Sequence, residues 1–134
     1  MTTYSQTEKP MTRHAQREEL MKALYTYLLL HTELADVLQQ LRTSNEEANT
    51  YFYDVIEVLM DKEDDYADFI GKQIANWDYD RLGYVERAIL LVALAEYKGL
   101  NYDKAVVIDE AVRLAKKYCD EDTYKLINGV LDKA

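Results

Sequence analysis

Apolar side chains recur at the helical period along nearly the whole chain, which leaves little room for any other fold. Leu20, Ala23, Leu24, Tyr27 and Leu28 follow i, i+3, i+4, i+7, i+8 and predict a helix over 12–31. Leu34, Val37, Leu38 and Leu41 predict a brief second helix. Ser44 followed by Glu47 reads as a capping box, in which the hydroxyl accepts from an orphan N–H and the carboxylate reaches back. It introduces a third helix with Phe52, Val55, Ile56, Leu59 and Met60 inward. Tyr66, Phe69, Ile70, Ile74 and Trp77 predict a fourth. Ala88–Ala95 is apolar all round, the mark of a helix surrounded by others. Gly99 suits the left-handed stop position after it. Asp103 is placed to cap the next helix, whose face is Val107 or Ile108, Ala111, Val112, Ala115 and Tyr118. Asp120 is placed to cap the last, with Tyr124, Ile127, Val130 and Leu131 inward. Asn128-Gly129 is a hairpin dipeptide. Its neighbours fit a helical stripe, so a helix is expected there, with Gly129 admitting a neighbouring backbone.

One proline and four glycines are too few for a sandwich of short strands, which turns about every 8–12 residues. The 134 residues suit one domain. The expectation is an all-α bundle of about seven helices over 12–134, after a disordered lead at 1–11. The only cysteine, Cys119, excludes an intramolecular disulfide and is expected to be a half-buried structural residue. The longest apolar run, Ala88–Ala95, falls well short of the ~20 residues of a membrane span. No hydrophobic signal stretch occurs in the first ten residues. A soluble, cytoplasmic protein of a reducing compartment is expected, with no membrane partner.

The net charge of −9 argues, taken alone, against a nucleic-acid binder. Its distribution is more informative. Residues 1–30 hold four cations and three acids, residues 31–80 three cations and thirteen acids, and residues 81–134 nine of each. A polyanion meets less repulsion at the two ends, and a basic partner could use the middle.

Catalytic and metal chemistry fail for want of partners. His14 and His31 stand seventeen residues apart with no His-Glu-x-x-His or Cys/His cluster. His14 is expected to be exposed. His31 falls at a helix end, where positive charge is favourable. Read as a calcium loop from Asp61, the acidic run puts Tyr66 where Gly belongs and Lys72 where Glu belongs. Read from Asp78, it puts Ile89 at the final ligand position. The glycines are isolated, so no phosphate loop exists. No catalytic residue, metal or cofactor is expected. Among twelve tyrosines, Tyr27, Tyr66, Tyr118 and Tyr124 fall on apolar stripes and are expected in the core. Tyr25 lies off the inward face and is a surface candidate.

Four blocks carry a resemblance. Asp80-Arg81-Leu82-Gly83-Tyr84-Val85-Glu86-Arg87-Ala88-Ile89-Leu90 resembles the fifth-helix signature of the bacterial transcription antitermination factor NusB family. Ile108 to Lys117 resembles its sixth helix, and Asp122 to Lys133, with Asn128-Gly129-Val130-Leu131-Asp132, its terminal helix. Arg13-His14-Ala15-Gln16-Arg17-Glu18, followed by Ala23-Leu24-Tyr25, resembles its arginine-rich first helix. The resemblance covers about residues 12–31 and 74–134.

It implies two small helical subdomains packed together and no enzymatic activity. It implies a complex with a NusE-type small-subunit ribosomal protein that binds boxA-type RNA. That complex helps RNA polymerase through terminators in ribosomal RNA operons. The site residues it implies are Arg13, His14, Arg17, Asp122, Lys125 and Asn128 for RNA, and Tyr25 and Glu86 for the protein partner. Arg13 and Arg17 are i, i+4 and are expected to project from one side of the first helix. Leu126 and Leu91 stand where the family often has an aromatic and a basic residue, which subtracts RNA-binding groups. The alternative is therefore a NusB-fold interaction module, homodimeric in one form, that has lost RNA binding.

Overall fold

The computed structural model describes residues 11–74 and 82–134. The expected disordered lead, apart from Met11, lies outside the described residues, as do Trp77 and Arg81. Helix α1 spans Arg13–Leu30, with Leu20, Met21, Ala23 and Leu24 buried. The Thr12 side chain caps it by accepting from the Ala15 N–H at 3.0 Å. It stops at His31, whose left-handed φ of 57° lets its N–H reach the Tyr27 carbonyl. Helix α2 spans Leu34–Leu41 and buries Val37 and Leu41.

Helix α3 runs unbroken over Glu46–Gln73, merging the two helices expected there. The physical reason is the absence of any breaker between Met60 and Tyr66. The acidic residues in between face mainly solvent, and Lys62 lies 3.9 Å from Asp61 and 3.8 Å from Asp65. Its cap is Asn45 rather than Ser44: the Asn45 side chain accepts from the Ala48 N–H at 3.1 Å. Met60, expected inward, is 53% exposed. Its neighbour Leu59 takes the buried position.

Helix α4 spans Tyr84–Leu94, and every residue from Arg87 to Leu94 is buried. It ends in one π-helical turn, Ala95–Gly99. Gly99 does not adopt the left-handed stop, which falls to Asn101 at φ 60°. What Gly99 supplies is space: a Cβ there would lie 2.5 Å from Val58 Cγ1 on α3. Helix α5 spans Lys104–Tyr118, and the Asp103 carboxylate accepts from the Val106 N–H at 3.1 Å as expected. Helix α6 spans Thr123–Asp132. At its start Asp120 accepts from the Thr123 N–H through its backbone carbonyl, not its side chain. Gly129 lies inside this helix, and nothing approaches within 4 Å of an added Cβ, so no backbone uses the gap.

The described residues therefore hold six α-helices, not about seven, and no strand. Helix α4 is the central element: α1, α3, α5 and α6 all pack on it. Helices α5 and α6 pair, running in opposite directions, with Lys104 Nζ donating to the Asp132 and Ala134 carbonyls. No described helix is long and apolar enough to cross a membrane.

Candidate functional site

The first turns of α1 carry three of the expected site residues, and their environments differ. Arg13 is exposed but held. Its guanidinium carbon lies 4.4 Å from the Tyr51 ring centre and 5.7 Å from that of Tyr102. Its Nη1 donates to the Tyr102 hydroxyl, and its Nε to Gln16 Oε1 at 2.8 Å. These contacts fix a cation at the surface without neutralising it.

His14 is about one-third exposed, and its Nδ1 lies 2.7 Å from Glu110 Oε1. It is thus not the free surface group expected.

Arg17 does not project alongside Arg13. It is 5% exposed, with Nε 2.8 Å from Glu96 Oε2 and Nη1 3.2 Å from Glu110 Oε1. A buried, doubly paired guanidinium has no free face at the surface, which corrects the expectation that it projects beside Arg13. Burial alone would lower its pKa, but the hydrogen bond and charge of Glu96 raise it instead. Burial would likewise raise the Glu110 pKa, but His14 and Arg17 bring it below the ordinary carboxylate value.

Glu96 is the hub of this network and is 0% exposed. Tyr51 donates to its Oε2, while Oε1 has no hydrogen-bond partner. Burial and the Glu96 charge push the Tyr51 pKa well up. Arginine, tyrosine and two glutamates thereby tie α1 to α3, to the π turn and to α5. Glu96, Glu110 and Tyr51 were not selected from sequence. The available signal was Glu96 itself, an acid closing an eight-residue apolar run.

Asp122, Lys125 and Asn128 are exposed and fall on one face of α6 at i, i+3, i+6. Lys125 Nζ lies 3.5 Å from Asp122 Oδ1. This group is separate from the α1 group, and α5 joins the two. It packs on α6 and meets α1 through His14, Arg17 and Glu18. Its exposed cations are Arg113, Lys116 and Lys117, which sequence reading did not select. Lys116 lies over the Tyr124 ring at 4.7 Å, and Lys117 pairs with Glu18 at 2.6 Å. Tyr118, expected in the core, is 36% exposed and donates to Glu18.

Tyr25 and Glu86 are both half-buried. Tyr25 packs against the core. Glu86 folds back so that its Oε1 lies 2.6 Å from where a Gly83 Cβ would stand. Burial first, then hydrogen-bonded Glu86 and nearby Asp120, push the Cys119 thiol up to about 12. Cys119 is thus a half-buried, protonated thiol. Among the described residues no three His, Cys, Asp or Glu side chains converge as a metal site.

The fold and these surfaces define a helical bundle bearing fixed surface cations. The NusB family model matches residues 14–134. The transcription antitermination protein NusB of a Nitratiruptor species is 38% identical over 128 residues, covering 90% of this chain and 89% of the relative. The T. maritima NusB structure matches with a TM-score of 0.86 at 26% identity, over 93% of this chain and 91% of that one. A crystal structure of the antitermination factors NusB and NusE with double-stranded RNA matches at 0.75 and 28% identity, over 92% and 96%. The chain belongs to the NusB family.

Proposed function

We propose that this chain is a transcription antitermination factor. It binds boxA-type RNA together with a NusE-type ribosomal protein, within the antitermination complex of RNA polymerase on ribosomal RNA operons. It works by binding, without catalysis, in the bacterial cytoplasm. The observation that carries the reading is the likeness, over 92% of the chain, to a NusB crystallised with NusE and RNA.

Arg13 and Lys125 hold phosphates, with His14, Asp122 and Asn128 flanking them on the same two helices. Arg113, Lys116 and Lys117 extend the cationic track along α5. Arg17 acts through the fold: it anchors the helix that presents Arg13. Tyr25 and Glu86 contribute to the partner surface. The helices form two sub-bundles, α1–α3 and α4–α6, with α1 against α4 as the seam.

The test is fluorescence anisotropy of a labelled boxA-like RNA across a salt series, with this protein alone, a NusE-type partner alone, and both. Tighter binding by the mixture than by either protein is the expected result. No gain, with a folded and competent partner, favours the interaction module that the net charge of −9 motivates.

A further inference from the structure

A groove on the acidic side of the molecule has an apolar floor. Two adjoining depressions of about 470 and 410 Å³ share Tyr27 and Glu63 as a common wall. The Tyr27 hydroxyl donates to Glu63 Oε1 at 2.6 Å, which fixes that wall. The second depression is floored by Leu34, Leu59 and Met60, and Met60 is 53% exposed. Its rim is acidic: Glu33, Asp61, Glu63 and Asp64. The first depression also takes in His31 and Arg87, whereas beside the second the cation Lys62 is drawn to Asp61 and Asp65.

We infer that this groove is a docking site for a basic, amphipathic helical segment of a partner protein. Charge complementarity selects the occupant. Four carboxylates round an apolar floor repel nucleic acid and anionic lipid, and they match lysines flanking an apolar stripe. An exposed methionine suits such a floor, because its unbranched side chain adapts to different apolar shapes. The second depression, which carries the acidic rim, is distinct from the surfaces assigned above: Tyr27 and Tyr25 are about 200° apart round α1, whereas Leu28, three residues after Tyr25, lines only the first depression.

The test is a titration of the ¹⁵N-labelled full chain with a Leu/Lys amphipathic peptide of about 14 residues, long enough to form a helix. A Leu/Glu peptide of the same pattern is the control. The expected result is saturable shifts centred on Ala35, Met60 and Asp64 with the lysine peptide only. The double variant Asp61→Lys/Asp64→Lys should bind it about tenfold more weakly. Met60→Gln should weaken it as well, without changing the charge. All three positions are exposed, and far-UV circular dichroism checks that helicity is kept. Shifts centred on another face, equal binding of the Leu/Glu peptide, or unchanged affinity in both variants overturns the proposal. So does a boxA-like RNA that shifts the same resonances.

Discussion

Arg13 and Arg17 lie one helical turn apart, yet only Arg13 reaches solvent. The difference lies in what each guanidinium meets: aromatic faces at Arg13, two carboxylates at Arg17. Arg17→Ala leaves Glu96 as an uncompensated buried charge, while Glu110 keeps His14 and Arg113. It should cost about 3–5 kcal/mol in urea unfolding, the range for breaking a buried pair. Arg13→Ala should cost about 1 kcal/mol, because Arg13 itself is exposed and loses one cation–π stack and hydrogen bonds to Gln16 and Tyr102, with no ion pair. A double Arg13/Arg17 variant would therefore confuse binding with folding, whereas Arg13→Ala isolates binding. Glu110 adds a pH dependence. Its folded-state pKa lies below the ordinary 4.5, so its stabilisation is present above about pH 4.5 and lost as pH falls through the folded value. Glu110→Gln should flatten that part of the acid-unfolding curve. Cys119 should alkylate slowly for the opposite electrostatic reason. With its pKa near 12 instead of 9.0, iodoacetamide at pH 8 should react at least about a hundredfold more slowly than in urea.

At the scale of the element, two glycines test how well helices can be read locally. Gly99 reads from sequence as a left-handed stop, which it is not, and its contact was not legible: its gap is filled by Val58, forty-one residues away. Gly99→Ala should destabilise by about 1–3 kcal/mol through overpacking, and Val58→Ala should recover part of that loss in a double-mutant cycle. Gly129 is the converse. Its helical position is open, so Gly129→Ala should stabilise by about 0.5–1 kcal/mol in thermal or urea melts. Helix existence was legible because the 3.6-residue period of Leu20 to Leu28 or Tyr124 to Leu131 is local. The break expected between Met60 and Tyr66 was not a break, because acidic composition there signalled exposure rather than a stop. Ser44 and Asn45 are both capping residue types. Which of them caps depends on the Asn49 side chain, whose Oδ1 accepts from the Thr43 N–H and whose Nδ2 donates to the Thr43 carbonyl.

At the scale of the molecule, charge is sorted by helix more than by net sum. The acidic middle falls mainly on α3, whereas Arg13, Arg113, Lys116 and Lys125 belong to α1, α5 and α6. Exposed Arg13 on α1 and exposed Lys125 and Asn128 on α6 were picked out separately from the sequence, whereas the burial of Arg17 was not legible. Nor was the connection between the two helices, because it depends on tertiary pairing of His14 and Arg17 with Glu110 across more than ninety residues. That connection makes a quantitative demand on binding. If one RNA strand runs from Arg13 over α5 to Lys125, each cation neutralises its own phosphate. Arg13→Ala and Lys125→Ala should then each reduce the slope of log K against log salt by about one in the partner-assisted complex. The two sites share no contact, so the double variant should lose about two. A double variant with the slope of either single variant would show that only one of the two helices touches RNA, and the track along α5 would lose its support.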